Sequence, residues 1–169
     1  MGIDAGAELG AGARRSVRVA AGALLALAFA GTVRASQPDI YPPAGQAQAD
    51  LHAALVAASA AHKRVIVDFG GNWCTDCHVL DLYFHDPANR PLLDAGYVLV
   101  HVNVGRMDEN LDIAARYRIP LRKGVPALAL LDERGKLLFS QTGGEFEDMR
   151  HMTSGALTQF LTHWKPPST

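Results

Sequence analysis

The sequence predicts one α/β domain, with a central mixed β-sheet and helices on both of its faces. Three observations predict this class. Helical and strand-like segments alternate along the chain, two of the strand-like segments are apolar enough to be buried, and a two-stranded hairpin precedes a last amphipathic helix. Parallel strands joined by helices and finished by an antiparallel pair form such a sheet. At 169 residues the chain is long enough for one domain of this kind.

Residues 1–35 have the profile of a cleaved signal peptide. Arginines precede an apolar run from Val19 to Ala30, and the small residues Val33 and Ala35 follow at the positions that signal peptidase reads. The run is shorter than the roughly 20 residues that a membrane-spanning helix needs. We therefore expect cleavage after Ala35 and export to the periplasm, with an uncleaved anchor as the alternative.

The next elements follow from proline content and apolar spacing. Three prolines predict an extended lead-in over residues 36–45, and an alanine-rich amphipathic pattern predicts a helix over residues 46–62. The apolar run Val65–Phe69 is typical of a central strand buried on both faces. We place the folded domain at residues 46–165 and expect residues 166–169 to fray.

Apolar periodicity predicts the remaining elements. A strand is expected over Tyr97–Val104, apolar enough to lie inside the sheet, and a hairpin over residues 127–140 with Gly135 at a positive φ in its turn. The predicted helices run from Cys74 to Phe84, from Asp86 to about Gly96, from Asp108 to Tyr117, and from Met152 to Trp164.

The only two cysteines, Cys74 and Cys77, form a Cys-x-x-Cys motif followed at once by His78. Such a motif admits a redox dithiol, half of a metal site, or covalent haem attachment. A strand that ends in Gly-Gly and leads into a helix places Cys74 at the helix N-terminus, where a thiolate is favoured. Cys74 would then attack a disulfide and Cys77, one turn further in, would resolve the mixed disulfide. We favour this chemistry, with no cofactor beyond the Cys74–Cys77 disulfide.

Two other chemistries remain open at this motif. Haem would require a second axial ligand such as Met107, Met149 or Met152, and a soft metal such as copper would use both cysteines with His78 or His85. No second ligand cluster accompanies them, so we expect no metal. The alternative function is a non-catalytic binding module, such as one that binds a soft metal like copper.

These residues resemble the thioredoxin superfamily. The resemblance is carried by Val65–Phe69, by Trp73–Cys77 and by Gly124-Val125-Pro126 before a strand, and the order of elements matches from Ala47 to Trp164. Asp86-Pro87 follows the predicted helix that begins at Cys74. With this pair, the chain is most similar to the periplasmic C-terminal domain of transmembrane thiol:disulfide interchange reductases. The resemblance implies a thioredoxin fold and a thiol:disulfide oxidoreductase, more specifically a reductase.

The resemblance also assigns roles to residues outside the motif. Asp68 matches a buried acid behind the second cysteine, and because burial disfavours a carboxylate charge, Asp68 could take the proton of Cys77. Family members often pair that acid with a lysine, but the matching residue here is His101. Pro126 matches a cis-proline that faces the sulfurs, and with the backbone of Val125 it would help to dock an extended substrate.

The other motif residues would shape and tune the site. We expect Trp73 to pack beside the sulfurs, and Thr75, Asp76 and His78 to adjust the redox potential. The negative charge of Asp76 should oppose a thiolate at Cys74 and make the couple more reducing. An interaction of this size is worth only about 6–20 mV, which does not decide the direction of electron flow.

Charge and composition limit the partners. The chain has 16 basic and 17 acidic residues without a basic cluster, so we expect no nucleic-acid binding. Two cysteines are too few for a structural disulfide framework. We expect a monomer that acts on disulfide-bonded exported proteins, with a membrane thiol reductase as a possible electron donor.

Overall fold

The computed structural model describes residues 38–167. The predicted signal peptide, the first two residues of the lead-in, and residues 168–169 of the tail lie outside the described residues. The elements are α1 (Ala47–Ala61), β1 (Arg64–Gly70), α2 (Thr75–Phe84), α3 (Arg90–Gly96), β2 (Tyr97–Asn103), α4 (Leu111–Arg116), β3 (Ala127–Leu131), β4 (Leu137–Ser140) and α5 (Ser154–His163). No helix between residues 38 and 167 is both long and apolar enough to cross a membrane.

The four strands form one mixed sheet in the order β2-β1-β3-β4. Strand β1 pairs in parallel with β2 and antiparallel with β3, and β4 pairs antiparallel with β3. One face of the sheet packs on α1 and α4, and the other packs on α2, α3 and α5. The predicted α/β class is confirmed.

Strand β2 lies at the edge of the sheet, and the expectation that it would be internal was wrong. Its apolar side chains are nevertheless well covered, because α1 packs on one face of the strand and α3 on the other. An edge strand between two helices has an apolar pattern close to that of an internal strand. The sequence pattern alone therefore could not place β2 within the sheet.

Several boundaries differ from the predicted ones by a few residues. The lead-in is irregular only from Pro38 to Pro43, because Ala44–Gln46 forms a turn of 3₁₀ helix. Helix α3 begins at Arg90 because Asp86 forms a turn, with its carboxylate accepting the N–H of Ala88 at 2.8 Å. At the other end of the domain, residues 166 and 167 have no regular secondary structure.

Candidate active site

Cys74 and Cys77 are joined by a disulfide at the start of α2, with their Cα atoms 5.2 Å apart. Cys74 is the N-cap of α2, and its Sγ accepts the backbone N–H of Cys77 at 3.1 Å. Cys77 is completely buried, whereas Cys74 retains 5% of its surface. An N-cap sulfur lies in the positive field of the helix N-terminus, which favours a thiolate over a thiol. Cys74 is therefore the sulfur suited to attack.

The loop before β3 lies against Cys74. The Val125–Pro126 peptide bond is cis, as expected, and the carbonyl oxygen of Val125 is 3.5 Å from Cys74 Sγ. The buried side chain of Gln141 holds this loop, because its amide donates to the Pro126 carbonyl at 3.1 Å and accepts the N–H of Leu128 at 3.0 Å. Nothing in the local sequence around Gln141 links it to Pro126, so the sequence did not predict this role.

Asp68 is buried in β1 and belongs to a hydrogen-bonded network of three residues. Its Oδ2 accepts the Tyr41 hydroxyl at 2.6 Å and lies 2.9 Å from Nδ1 of His101. Burial lowers the pKa of His101, but the hydrogen bond and charge of Asp68 outweigh it, so the net shift is upward. Burial is the main cause that raises the pKa of Tyr41 well above its usual value, and the charge of Asp68 is the second. His101 thus contacts the acid that the resemblance pairs with a lysine.

Gly70 places this network next to Cys77. A Cβ at Gly70 would overlap the Tyr41 hydroxyl and would lie 2.7 Å from Cys77 Sγ. Both groups therefore pack against the face of Gly70 that a side chain would otherwise fill. Tyr41 comes from the lead-in, and its contact with Asp68 spans 27 residues, so the sequence did not predict its role.

Asp76 is paired with Arg150, which corrects the expectation of a free negative charge near Cys74. Arg150 donates to the Asp76 carboxylate through its backbone N–H at 2.9 Å and through Nε at 3.0 and 3.1 Å. The guanidinium offsets much of the field that Asp76 exerts on the sulfur. Arg150 lies 74 residues from Asp76 in the chain, so no local pattern predicted the pair.

The other motif residues surround the disulfide. Trp73 is 42% exposed, its indole N–H donates to the Gly105 carbonyl, and the Arg106 guanidinium lies 5.4 Å from its ring centre. Thr75 is exposed at the first position of α2. Nε2 of His78 is 2.9 Å from the carbonyl oxygen of Asn72, so this side chain braces the loop that leads into the motif.

The geometry fits the haem and metal alternatives poorly. Cys77 is fully buried, which leaves no space for a haem bonded to both sulfurs, and Met149 is buried in the core. His85 has its Nδ1 2.8 Å from the carbonyl oxygen of Asp81 in its own helix. Within residues 38–167, no three His, Cys, Asp or Glu side chains are grouped as a metal site would need.

A dithiol at a helix N-terminus beside a cis-proline defines a thioredoxin-fold protein, and comparisons with known proteins agree. Residues 46–133 match the model of the family described as thioredoxin-like. The chain belongs to this family. Since the cysteine pair and its surroundings are present, it is a thiol:disulfide oxidoreductase. No curated protein sequence matches the chain.

Solved structures support the same class. A disulphide isomerase from Xylella fastidiosa Temecula1 is 31% identical, with 73% of this chain and 95% of that chain covered and a TM-score of 0.69. The germline-specific thioredoxin Deadhead of Drosophila melanogaster is 19% identical, with coverage of 70% and 95% and a TM-score of 0.51. A thioredoxin from Thermus thermophilus is 24% identical, with coverage of 66% and 81% and a TM-score of 0.50. The last two show the fold alone.

Proposed function

We propose that the protein is an exported reductase of protein disulfides that works in the periplasm. The placement of the two sulfurs supports the exchange chemistry of this proposal: Cys74 Sγ caps α2 beside the backbone of Val125, and Cys77 is buried one turn further in. The resemblance to thiol:disulfide interchange reductases favours reduction as the direction. A Cys74 thiolate can attack an incoming disulfide, whereas the buried Cys77 can reach only a sulfur already bonded to Cys74. Attack and resolution are thus divided between the two cysteines.

The proposed reaction has two exchange steps. The Cys74 thiolate attacks one sulfur of the substrate disulfide, and the other substrate sulfur leaves as a thiolate. Cys77 then gives up its proton, with Asp68 as the proposed acceptor, and its thiolate attacks Cys74 Sγ. The first substrate sulfur leaves and the Cys74–Cys77 disulfide forms. The substrate disulfide gains two electrons, and both substrate thiolates take protons from water.

A shallow depression beside the disulfide is the proposed docking surface. Trp73, Met107, Val125 and Arg150 line it. The exposed indole of Trp73 offers apolar area, and the Val125 backbone before Pro126 is positioned to pair with an extended segment that contains the substrate disulfide. We infer that substrates bind as extended strands across this surface.

Location and partners follow from the signal-like residues 1–35 and from the resemblance. We infer that the mature protein is a periplasmic monomer and that its substrates are disulfide-bonded exported proteins. A membrane thiol reductase would return electrons to the Cys74–Cys77 disulfide, which is the only redox group that the proposal requires. If residues 1–35 are a cleaved signal, the mass of the periplasmic protein will correspond to a chain that starts at Ser36.

Disulfide isomerisation is a second candidate, because the 31% identical relative is described as a disulphide isomerase. An isomerase releases its substrate after rearrangement within the mixed disulfide, whereas a reductase lets its second cysteine finish the exchange. Reactivation of a scrambled ribonuclease separates the two functions. An isomerase supports reactivation with only its first cysteine present, whereas the reductase proposed here requires Cys77.

Insulin reduction with dithiothreitol as electron donor tests the reductase proposal. The wild-type protein should precipitate the insulin B chain, and Cys74→Ser should abolish this activity. Cys77→Ser should accumulate a covalent mixed disulfide with the substrate through Cys74. His52→Gln is the control, since His52 is an exposed residue of α1.

A wild-type protein that reduces no disulfide, together with a Cys74→Ser variant that keeps the cellular role, would refute the reductase proposal. If the protein reduces no disulfide and also contains stoichiometric copper after purification, the non-catalytic copper-binding module would be favoured.

A further inference from the structure

The two oxygens of the Asp68 carboxylate have different surroundings. Oδ2 is close to two donors, the Tyr41 hydroxyl and the His101 ring, whereas Oδ1 is buried and has no hydrogen-bond partner among the described residues. A buried carboxylate oxygen without a partner is costly as an anion. Oδ1 is therefore the atom suited to receive a proton, while Oδ2 stays bonded to its donors.

His101 connects this buried acid to the solvent. Asp68 and His101 are register partners on the parallel strands β1 and β2, and β2 is the edge strand. The side chain of His101 is 18% exposed, whereas that of Asp68 is 1% exposed. His101 also lines an open groove along β2, together with Pro42, Gln46 and Asp50. Since Nδ1 faces Asp68, Nε2 is the ring nitrogen left to exchange protons with water.

We propose that His101 is the proton-exchange residue of this site: when Asp68 takes the proton of Cys77, the His101 imidazolium releases a proton to the groove along β2. The inference rests on the proposed dithiol chemistry. Before the step the charges are Asp68⁻ and His101⁺; after it both residues are neutral and one proton is in water. The Cys77 electron pair forms the bond to Cys74, and the reverse transfers occur when the disulfide is reduced again. His101 acts through Asp68 and is not itself a catalytic residue.

The charged groups around His101 fit this coupling. Burial lowers the pKa of His101, but the hydrogen bond and charge of Asp68 outweigh it, and Asp81 of α2 raises the pKa further. Asp50 of α1 lines the same groove, and the Tyr41 ring of the lead-in packs edge-on at 5.1 Å between ring centres. Protonation of Asp68 removes the main support for the imidazolium and leaves burial to favour its release of a proton.

Stopped-flow oxidation of the reduced protein by an aromatic disulfide reagent tests the relay. The reagent releases one coloured thiolate when Cys74 attacks and a second when Cys77 resolves the mixed disulfide, so each step gives its own phase. We expect His101→Gln to slow the second phase at neutral pH by about 10-fold or more and to change its pH profile, with the first phase unchanged. His52→Gln should leave both phases as in the wild type.

Superimposable pH profiles for the second phase of the wild type and His101→Gln would overturn the relay alone, as would equal slowing of both phases. A wild-type protein that releases no coloured thiolate would overturn the dithiol chemistry as well. If His101→Gln does not fold, NMR titration decides: the His101 ring should titrate at higher pH in the reduced wild type than in Asp68→Asn, and equal midpoints would overturn the relay.

Discussion

The charge that Cys74 meets is set by Asp76 and Arg150 together. Their ion pair places a guanidinium beside the carboxylate that was expected to oppose the Cys74 thiolate. Arg150→Ala should therefore leave Asp76 to oppose the Cys74 thiolate, and the reduction potential should become more negative by about 6–20 mV. Equilibration with glutathione measures the shift. Arg116→Ala, which removes an exposed arginine of α4, should leave the potential unchanged; an equal shift in both variants would refute a local effect.

Gly70 is the residue that lets the Asp68 network approach Cys77. A Cβ there would overlap the Tyr41 hydroxyl and crowd Cys77 Sγ, so Gly70→Ala should lower the free energy of unfolding by about 1–3 kcal/mol. Gly45→Ala is the matched control, because no heavy atom lies within 4 Å of the Cβ that it would add. Urea denaturation compares the two variants, and equal stabilities would contradict close packing of Tyr41 and Cys77 against Gly70.

Asn72 connects the lead-in to the active-site loop. Its Oδ1 accepts the N–H groups of Ile40 and Tyr41 at 2.9 and 2.8 Å, and its amide donates to the Tyr41 carbonyl at 2.9 Å. Asn72→Ala should cost about 1–3 kcal/mol and expose both N–H groups to hydrogen exchange. Asn72→Asp keeps the acceptor and should retain most of their protection. Unchanged exchange in Asn72→Ala would show that other contacts hold the lead-in.

Local patterns were enough to predict most elements and the reacting atoms. The run Val65–Phe69 is a buried strand, and the cysteines lie at the start of a helix. Spacing and residue type determine these features within a short stretch of chain. They required no knowledge of the tertiary packing.

The supporting residues could not be predicted in this way. Each of them reaches the site through a contact between residues far apart in the chain. The separation is 27 residues between Tyr41 and Asp68, 74 between Arg150 and Asp76, and 15 between Gln141 and Pro126. A tyrosine among prolines, or an arginine before a helix, has no local pattern that reveals its partner. The family resemblance indicated that His101 occupies the position of the lysine that pairs with the buried acid. The geometry of the contact between Asp68 and His101 depends on the register of β1 and β2, which the sequence does not give.

The raised pKa of His101 makes the stability of the folded domain depend on pH. Burial opposes the imidazolium, but Asp68 raises the pKa of His101 above its unfolded value near 6.5. The stabilisation is therefore complete below about pH 6.5 and is lost as the pH rises through the folded-state pKa. The stability advantage of the wild type over His101→Gln should be larger at about pH 6 than at about pH 8.5 by urea denaturation. A constant difference would contradict the assignment.

The reduction potential of the wild-type protein decides whether Cys74 and Cys77 form a reducing dithiol. Equilibration of the purified domain with glutathione, followed by alkylation and mass analysis, gives the value. A reducing dithiol should have a potential of about −230 mV or lower, toward the roughly −270 mV of thioredoxin. A value of about −180 mV or higher, in the range of protein disulfide isomerase and of dedicated disulfide oxidants, would contradict it.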